Sequence, residues 1–169
     1  MNPLPPPLAY IALGANLGYS QLTVLNAMDR LQEHSVEPLL RSSLWQSAPV
    51  DCPPNSPPFI NAAVGLTPRP DEAPESLLAL LQSLERQFGR APRLVPNEPR
   101  RLDLDLIAFG NSVRHLPQLE LPHPRAHLRR FVLQPLNEIA PDLILPGQLK
   151  NVSQLLADLP ADLSVRKVL

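Results

Sequence analysis

Two proline clusters decide how this chain can be divided into regular structure. Between positions 49 and 58 five of ten residues are proline, and Pro92, Pro96 and Pro99 punctuate residues 90–99. Proline has no amide hydrogen to give to a ladder or a helix turn, so neither stretch can be the interior of a strand or helix. Both are therefore loops, and the segments around them carry the fold.

Before the first loop, residues 8–13 form an apolar run ending at Gly14, which predicts a buried strand. Residues 14–18 (Gly-Ala-Asn-Leu-Gly) read as a turn. Ser20 is placed to cap a helix with Leu22, Leu25, Met28 and Leu31 on its apolar face. Residues 36–47 read as one long strand and residues 59–67 as another. Asp71 is placed to cap a second helix with Pro74 in its first turn, a stripe of Leu77, Leu78, Leu81, Leu84 and Phe88, and Gly89 as its C-terminal stop. Residues 101–109 form a further strand, and Gly110-Asn111 a turn. The order β-α-β-β-α-β predicts an α+β, ferredoxin-like sandwich with both helices on one face of an antiparallel sheet. From Leu116 onward short helices and loops are expected, with helical turns at 135–140 and 153–159. The whole chain, 1–169, reads as one domain with a proline-rich extended tail at residues 1–7.

Composition removes several classes of function. The only cysteine, Cys52, rules out a disulfide framework or a cysteine metal cluster. No apolar run reaches bilayer length and residues 1–7 lack the features of a secretion signal, so a cytoplasmic protein without membrane contact is expected. A net charge of −1 argues against nucleic-acid binding, but residues 86–130 hold nine arginines against four acids. Guanidinium groups suit bidentate contacts with phosphate oxygens.

Residues 100–107 read Arg-Arg-Leu-Asp-Leu-Asp-Leu-Ile. Alternation along a strand sends Leu102, Leu104 and Leu106 to the core and puts Asp103 and Asp105 together with Arg101 and Ile107 on the other face. Two enclosed carboxylates about 7 Å apart repel, and a hard divalent cation such as Mg²⁺ relieves that repulsion. An ordinary strand with a solvated acidic face is the alternative. Arg100 adjoins the pair, and Arg90 and Arg93 lie on the preceding loop; acids to hold cations and arginines to neutralise phosphate suit a polyphosphate. His123, between Pro122 and Pro124, is either a phosphate donor or a loop histidine. Phe59 and Asn61 share a strand face, offering a ring to stack on and an amide to read an edge; core packing is the alternative for Phe59 and Phe131. No Walker A or Gly-x-Gly-x-x-Gly signature is present.

Residues 9–18, 59–64, 84–90, 99–107, 121–125 and 131–136, in this order and spacing, resemble the hydroxymethyl-dihydropterin pyrophosphokinases of folate synthesis. The resemblance implies transfer of the β,γ-pyrophosphate of ATP to the hydroxymethyl group of 6-hydroxymethyl-7,8-dihydropterin, with AMP released. It implies that Asp103 and Asp105 bind two Mg²⁺ ions and that Arg90 and Arg100 contact phosphates during transfer. Gln82, His123 and Arg129 would join the nucleotide site. Phe59 and Phe131 would sandwich the pterin, Asn61 would read its edge, and Ser47 and Val50 would offer backbone groups. Asp103 is the carboxylate expected to assist the proton. Four positions depart from the family pattern: Asn97-Glu98 replaces Trp-Gly in a closing loop, Pro92 stands where a basic residue is frequent and Arg130 where a glycine is common. Weaker loop closure with retained activity is expected, in a monomer, with a dimer as the alternative. The rival function is a non-catalytic ferredoxin-like module that binds pterin or nucleotide without turnover.

Overall fold

The computed structural model describes residues 2–91 and 94–169; Pro92 and Arg93 lie outside the described residues. In chain order the elements are β1 (Ala9–Ala15), α1 (Ser20–Gln32), β2 (Leu40–Arg41), β3 (Trp45–Ser47), β4 (Phe59–Leu66), α2 (Pro74–Gln87), β5 (Asp103–Phe109), β6 (Arg114–Leu116) and β7 (Leu119–Leu121). A 3-10 turn at Ala126–Leu128, α3 (Arg130–Ile139), α4 (Val152–Asp158) and β8 (Arg166–Lys167) follow. The main sheet runs β5-β1-β4-β3-β8, with β2 also on β4, and every pairing is antiparallel. Among the described residues this is a mixed α/β fold with an antiparallel sheet and four helices.

Strand alternation gives the sheet two apolar faces. Ile11 and Leu13 of β1, Ala62 and Val64 of β4, and Leu104 and Leu106 of β5 point to the side where α1 and α2 bury Val24, Met28, Leu31, Leu77, Leu81 and Leu84. Each fully buried leucine of that layer contributes about 1.5–3 kcal/mol. On the opposite side Ala63, Ile107 and Ala108 pack against Val132, Leu133 and Leu136 of α3 and Val152 of α4. Leu102, Leu104 and Leu106 are buried as the alternation predicts.

Several local expectations are corrected. The strand expected over 36–47 is broken into β2 and β3. Three residues separate Arg41 from Trp45 while two separate their β4 partners Val64 and Asn61, so one residue is extra. The hydroxyl of Ser42 accepts from the amide of Ala63 at 2.8 Å in place of a ladder bond, which is how a bulge interrupts pairing. Helix α1 has Tyr19, not Ser20, at its cap and leaves Leu22 57% exposed, because Val24 and Ala27 take the inward positions. Helix α2 is capped at Ala73, with Ser76 Oγ accepting from the Ala73 amide, so Asp71 stands outside the helix. Gly89 does terminate it, at φ +90°, a conformation that glycine adopts without strain. From Leu116 onward the chain holds strands β7 and β8 as well as the expected helices and loops.

Candidate active site

On the face that carries α3, the first row of side chains across the sheet is Asp103 (β5), Gly14 (β1), Asn61 (β4) and Trp45 (β3), and the second begins Asp105, Ala12, Ala63. Gly14 and Ala12 leave the floor open between the carboxylates and the amide. A side chain at Gly14 would reach within 3.7 Å of Asn61 Oδ1 and 3.8 Å of the Phe59 ring. Above this floor lies a cavity of about 660 Å³. Asp103, Asp105, Arg100 and Arg129 line one part of it; Ser47, Val50, Phe59, Asn61 and Phe131 line another.

Asp103 is held by two arginines. Arg90 Nη1 donates to Oδ1 at 3.0 Å and Arg100 Nη1 donates to Oδ2 at 2.9 Å. Arg90 also pairs with Glu85, a carboxylate buried to 4% exposure on α2. Arg101 leaves the predicted face: β5 begins only at Asp103, and the Arg101 side chain lies against Gly18 and Gly89. No arginine donates to Asp105 among the described residues. Burial and the neighbouring Asp103 push its carboxyl up to about 6, against the pull of Arg129, Arg100 and Arg90. Two oxygen-bearing side chains on one strand face, one of them short of positive charge, fit a hard cation that also takes phosphate oxygens. Among the described residues no third carboxylate, histidine or cysteine completes an all-protein cage.

Arg100 is placed by a residue that the sequence left in a turn. Asn16, 2% exposed, accepts from the Arg100 amide at 2.9 Å through Oδ1 and donates from Nδ2 to the Pro57 carbonyl at 3.2 Å. Its own amide donates to Arg100 O at 3.1 Å. One buried amide thereby joins the arginine to the end of the proline loop, beside Phe59. The signal was an asparagine between the two glycines of residues 14–18; turn chemistry alone also explains it there.

At the other end, Asn61 Nδ2 donates to Ser47 Oγ at 2.8 Å and to the Trp45 carbonyl at 3.3 Å. Both amide hydrogens are used, which leaves Oδ1 as an acceptor toward the cavity. Phe59 and Phe131 are half-buried rather than in the core, and Arg129 lies 5.6 Å from the centre of the Phe131 ring. Ser47 is buried and Val50 is exposed at the mouth. His123 stands beside the cavity without lining it; its Nδ1 accepts from the Arg125 amide, so Nε2 carries the hydrogen. Burial, with Arg129 and Arg125 nearby, brings it down to about 4. Gln82 is exposed on α2 and does not line the cavity. Asn97, at φ +54°, lines it and donates from Nδ2 to the Asp51 carbonyl at 3.0 Å, tying the 94–100 loop to the proline loop.

A carboxylate pair and guanidinium groups sharing one cavity with two aromatic rings define a transferase of phosphate-containing groups. Residues 10–141 match the family described as 7,8-dihydro-6-hydroxymethylpterin-pyrophosphokinase (HPPK). The chain belongs to this family, the pyrophosphokinases of folate synthesis. It is 38% identical over 154 residues to the 2-amino-4-hydroxy-6-hydroxymethyldihydropteridine pyrophosphokinase of Pseudomonas aeruginosa, covering 89% of this chain and 91% of that one. It is 35% identical over 162 residues to the Haemophilus influenzae protein of the same name, covering 95% and 96%. The folic acid synthesis protein fol1 of Pneumocystis carinii is 35% identical over 81% of this chain, which spans only 18% of that longer protein. A crystal structure of Plasmodium falciparum HPPK-DHPS superposes with a TM-score of 0.71 at 13% identity, over 93% of this chain and 45% of that one. At that identity the likeness concerns the fold alone.

Proposed function

We propose that this chain moves the β,γ-pyrophosphate of ATP onto 6-hydroxymethyl-7,8-dihydropterin in the cytoplasm, as one domain of ferredoxin-like β-α-β-β-α-β core plus a C-terminal extension. The observation that carries the reading is that one cavity has the β5 carboxylates, Asp103 bound by two arginines and Asp105 beside it, together with the aromatic and amide groups at β3, β4 and α3. The hydroxymethyl oxygen attacks the β-phosphorus, the bond from that phosphorus to the oxygen shared with the α-phosphate breaks, and AMP leaves. Such a transfer depends on alignment and charge neutralisation more than on a strong base.

Phe59 and Phe131 sandwich the pterin, and Asn61 Oδ1 accepts from its edge, with Ser47 fixing the amide. Val50 offers backbone groups at the mouth. Asp103 and Asp105 would hold two Mg²⁺ ions, which supply charge neutralisation to the triphosphate when bound. Arg90 and Arg100 rest on Asp103 and transfer their donors to phosphate oxygens when nucleotide arrives. That release also frees Asp103 to take the hydroxyl proton. Arg129 and His123, the latter as a neutral Nε2–H donor, face the nucleotide; Gln82 reaches it from α2 by a change of side-chain position.

The test is Mg²⁺-dependent AMP formation from ATP with and without the hydroxymethyl-dihydropterin. AMP formed only with both substrates and Mg²⁺ supports the transfer. Tight pterin or ATP binding with no AMP establishes the binding module instead.

A further inference from the structure

Residues 160–169 lie outside residues 10–141, the part that matches the family model, yet they close one side of the cavity. Pro160, Ala161, Asp162 and Val165 line it opposite Phe59 and Asn61. Four separate contacts hold them there. Arg130 donates to the Pro160 carbonyl at 3.1 Å and to the Leu159 carbonyl at 2.9 Å, satisfying acceptors left at the end of α4. The Ala48 amide donates to Ser164 Oγ at 3.2 Å. Strand β8 pairs with β3 through Trp45–Lys167 and Gln46–Arg166. Lys167 lies over the Trp45 ring at 5.5 Å and pairs with Glu138, which also accepts from Trp45 Nε1 and Ser43 Oγ. Arg130 stands where glycine is common in the family pattern.

We infer that residues 160–169 are a wall of the pterin subsite, fastened by Arg130, that positions the heterocycle and leaves the nucleotide end untouched. The inference rests on the pterin reading above. Its selectivity follows from topology. β8 is at one edge of the sheet and β5, with Asp103 and Asp105, is at the other. Four strand spacings of about 4.8 Å put roughly 19 Å between the two edges. A disturbance of the wall therefore acts on the pterin and not on the phosphates. Arg130 also borders the cavity, but its guanidinium is taken up by the Leu156, Leu159 and Pro160 carbonyls and by Gln134 Oε1, so it is a positioning residue that acts through the segment it holds.

The experiment is steady-state kinetics of the full chain with both substrates varied, for the wild type, Arg130→Met, Arg130→Lys and Val165→Trp. Arg130→Met removes the carbonyl donors and keeps the apolar stem. Val165→Trp narrows the cavity at a half-buried site outside both cores, so it stands even if the arginine variant folds badly. The expected result is a rise of about five- to tenfold in the pterin KM for Arg130→Met and Val165→Trp, with the ATP KM within about twofold and partial recovery in Arg130→Lys. Emission of Trp45, the only tryptophan, shifts to the red in Arg130→Met as Lys167 loosens. Unchanged pterin KM values, or equal rises in both KM values, overturn the wall while leaving the transfer reaction standing. A wild type that makes no pterin diphosphate refutes the pterin reading, and the wall with it.

Discussion

Asp103 and Asp105 point the same way from β5, but only Asp103 receives guanidinium donors, one on each carboxylate oxygen. Asp105 keeps the burial and the repulsion without a partner among the described residues, and its carboxyl rises to about 6. Ionising it destabilises the folded chain. Below the unfolded value of 3.8 both states are protonated and there is no penalty; the penalty grows as pH rises through 6 and is then constant. Asp105→Asn is therefore more stable than wild type at pH 8, on the order of 2 kcal/mol, and gains little at pH 4. Urea unfolding at the two pH values measures this.

His123 slopes the other way. Its proton is held less well in the folded state, with a value near 4 against 6.5 unfolded, so its contribution is present above pH 6.5 and is lost as pH falls toward 4. The two groups oppose each other over the same range. His123→Gln removes this acid-side loss, so its stability falls less than that of wild type as pH drops from 6.5 to 4. Unfolding free energy against pH for the pair of variants reads both slopes.

Asn16 places Arg100 from beneath through two side-chain bonds, one to Arg100 and one to the Pro57 carbonyl. Asn16→Ala leaves both partners without it in a buried site, which costs about 1–3 kcal/mol of stability. It also lowers kcat more than it raises the pterin KM, because the group displaced is the arginine that faces the phosphates. Thermal unfolding and steady-state kinetics on one preparation separate the two effects.

Gly14 has ordinary φ, and an added Cβ meets Asn61 and Phe59 no closer than 3.7 Å. Gly14→Ala therefore folds with a stability change within about 0.5–1 kcal/mol. The methyl occupies floor between the carboxylates and the amide, so the pterin KM rises. Isothermal titration with the dihydropterin shows weaker binding at unchanged Tm.

Asn97 holds a left-handed backbone, φ +54°, which asparagine tolerates and a bulky side chain does not. Restoring the family tryptophan by Asn97→Trp therefore strains the loop and removes the bond to the Asp51 carbonyl. The substitution raises KM for ATP and pterin together instead of improving closure. Unchanged KM values for both substrates contradict this account of the loop.

Much of this was legible in the sequence because period and punctuation carry it. Alternation in 102–107 gave the buried leucines and the outward carboxylates, and the proline clusters gave the two loops. The bulge at Ser42 was not legible, because a hydroxyl replacing one ladder bond leaves the apolar pattern of 36–47 intact. Arg101 lies off that face because β5 begins only at Asp103 and the alternation does not reach back to it. Asn16 and Arg130 act through partners distant in sequence, 84 residues away for Asn16 and Arg100, and no local pattern announces such a partner. Strand β8 is two residues long and exposed, and its meaning comes only from lying beside Trp45.

The central claim is that the β5 carboxylates and the cavity they open onto carry out the transfer. The most direct measurement is pterin diphosphate formation by Asp103→Asn/Asp105→Asn at saturating ATP and Mg²⁺, with Tm recorded on the same sample. The account predicts a kcat lowered by at least about 10³-fold in a folded protein that still binds the dihydropterin. A folded double variant that makes product within about threefold of the wild-type rate contradicts it.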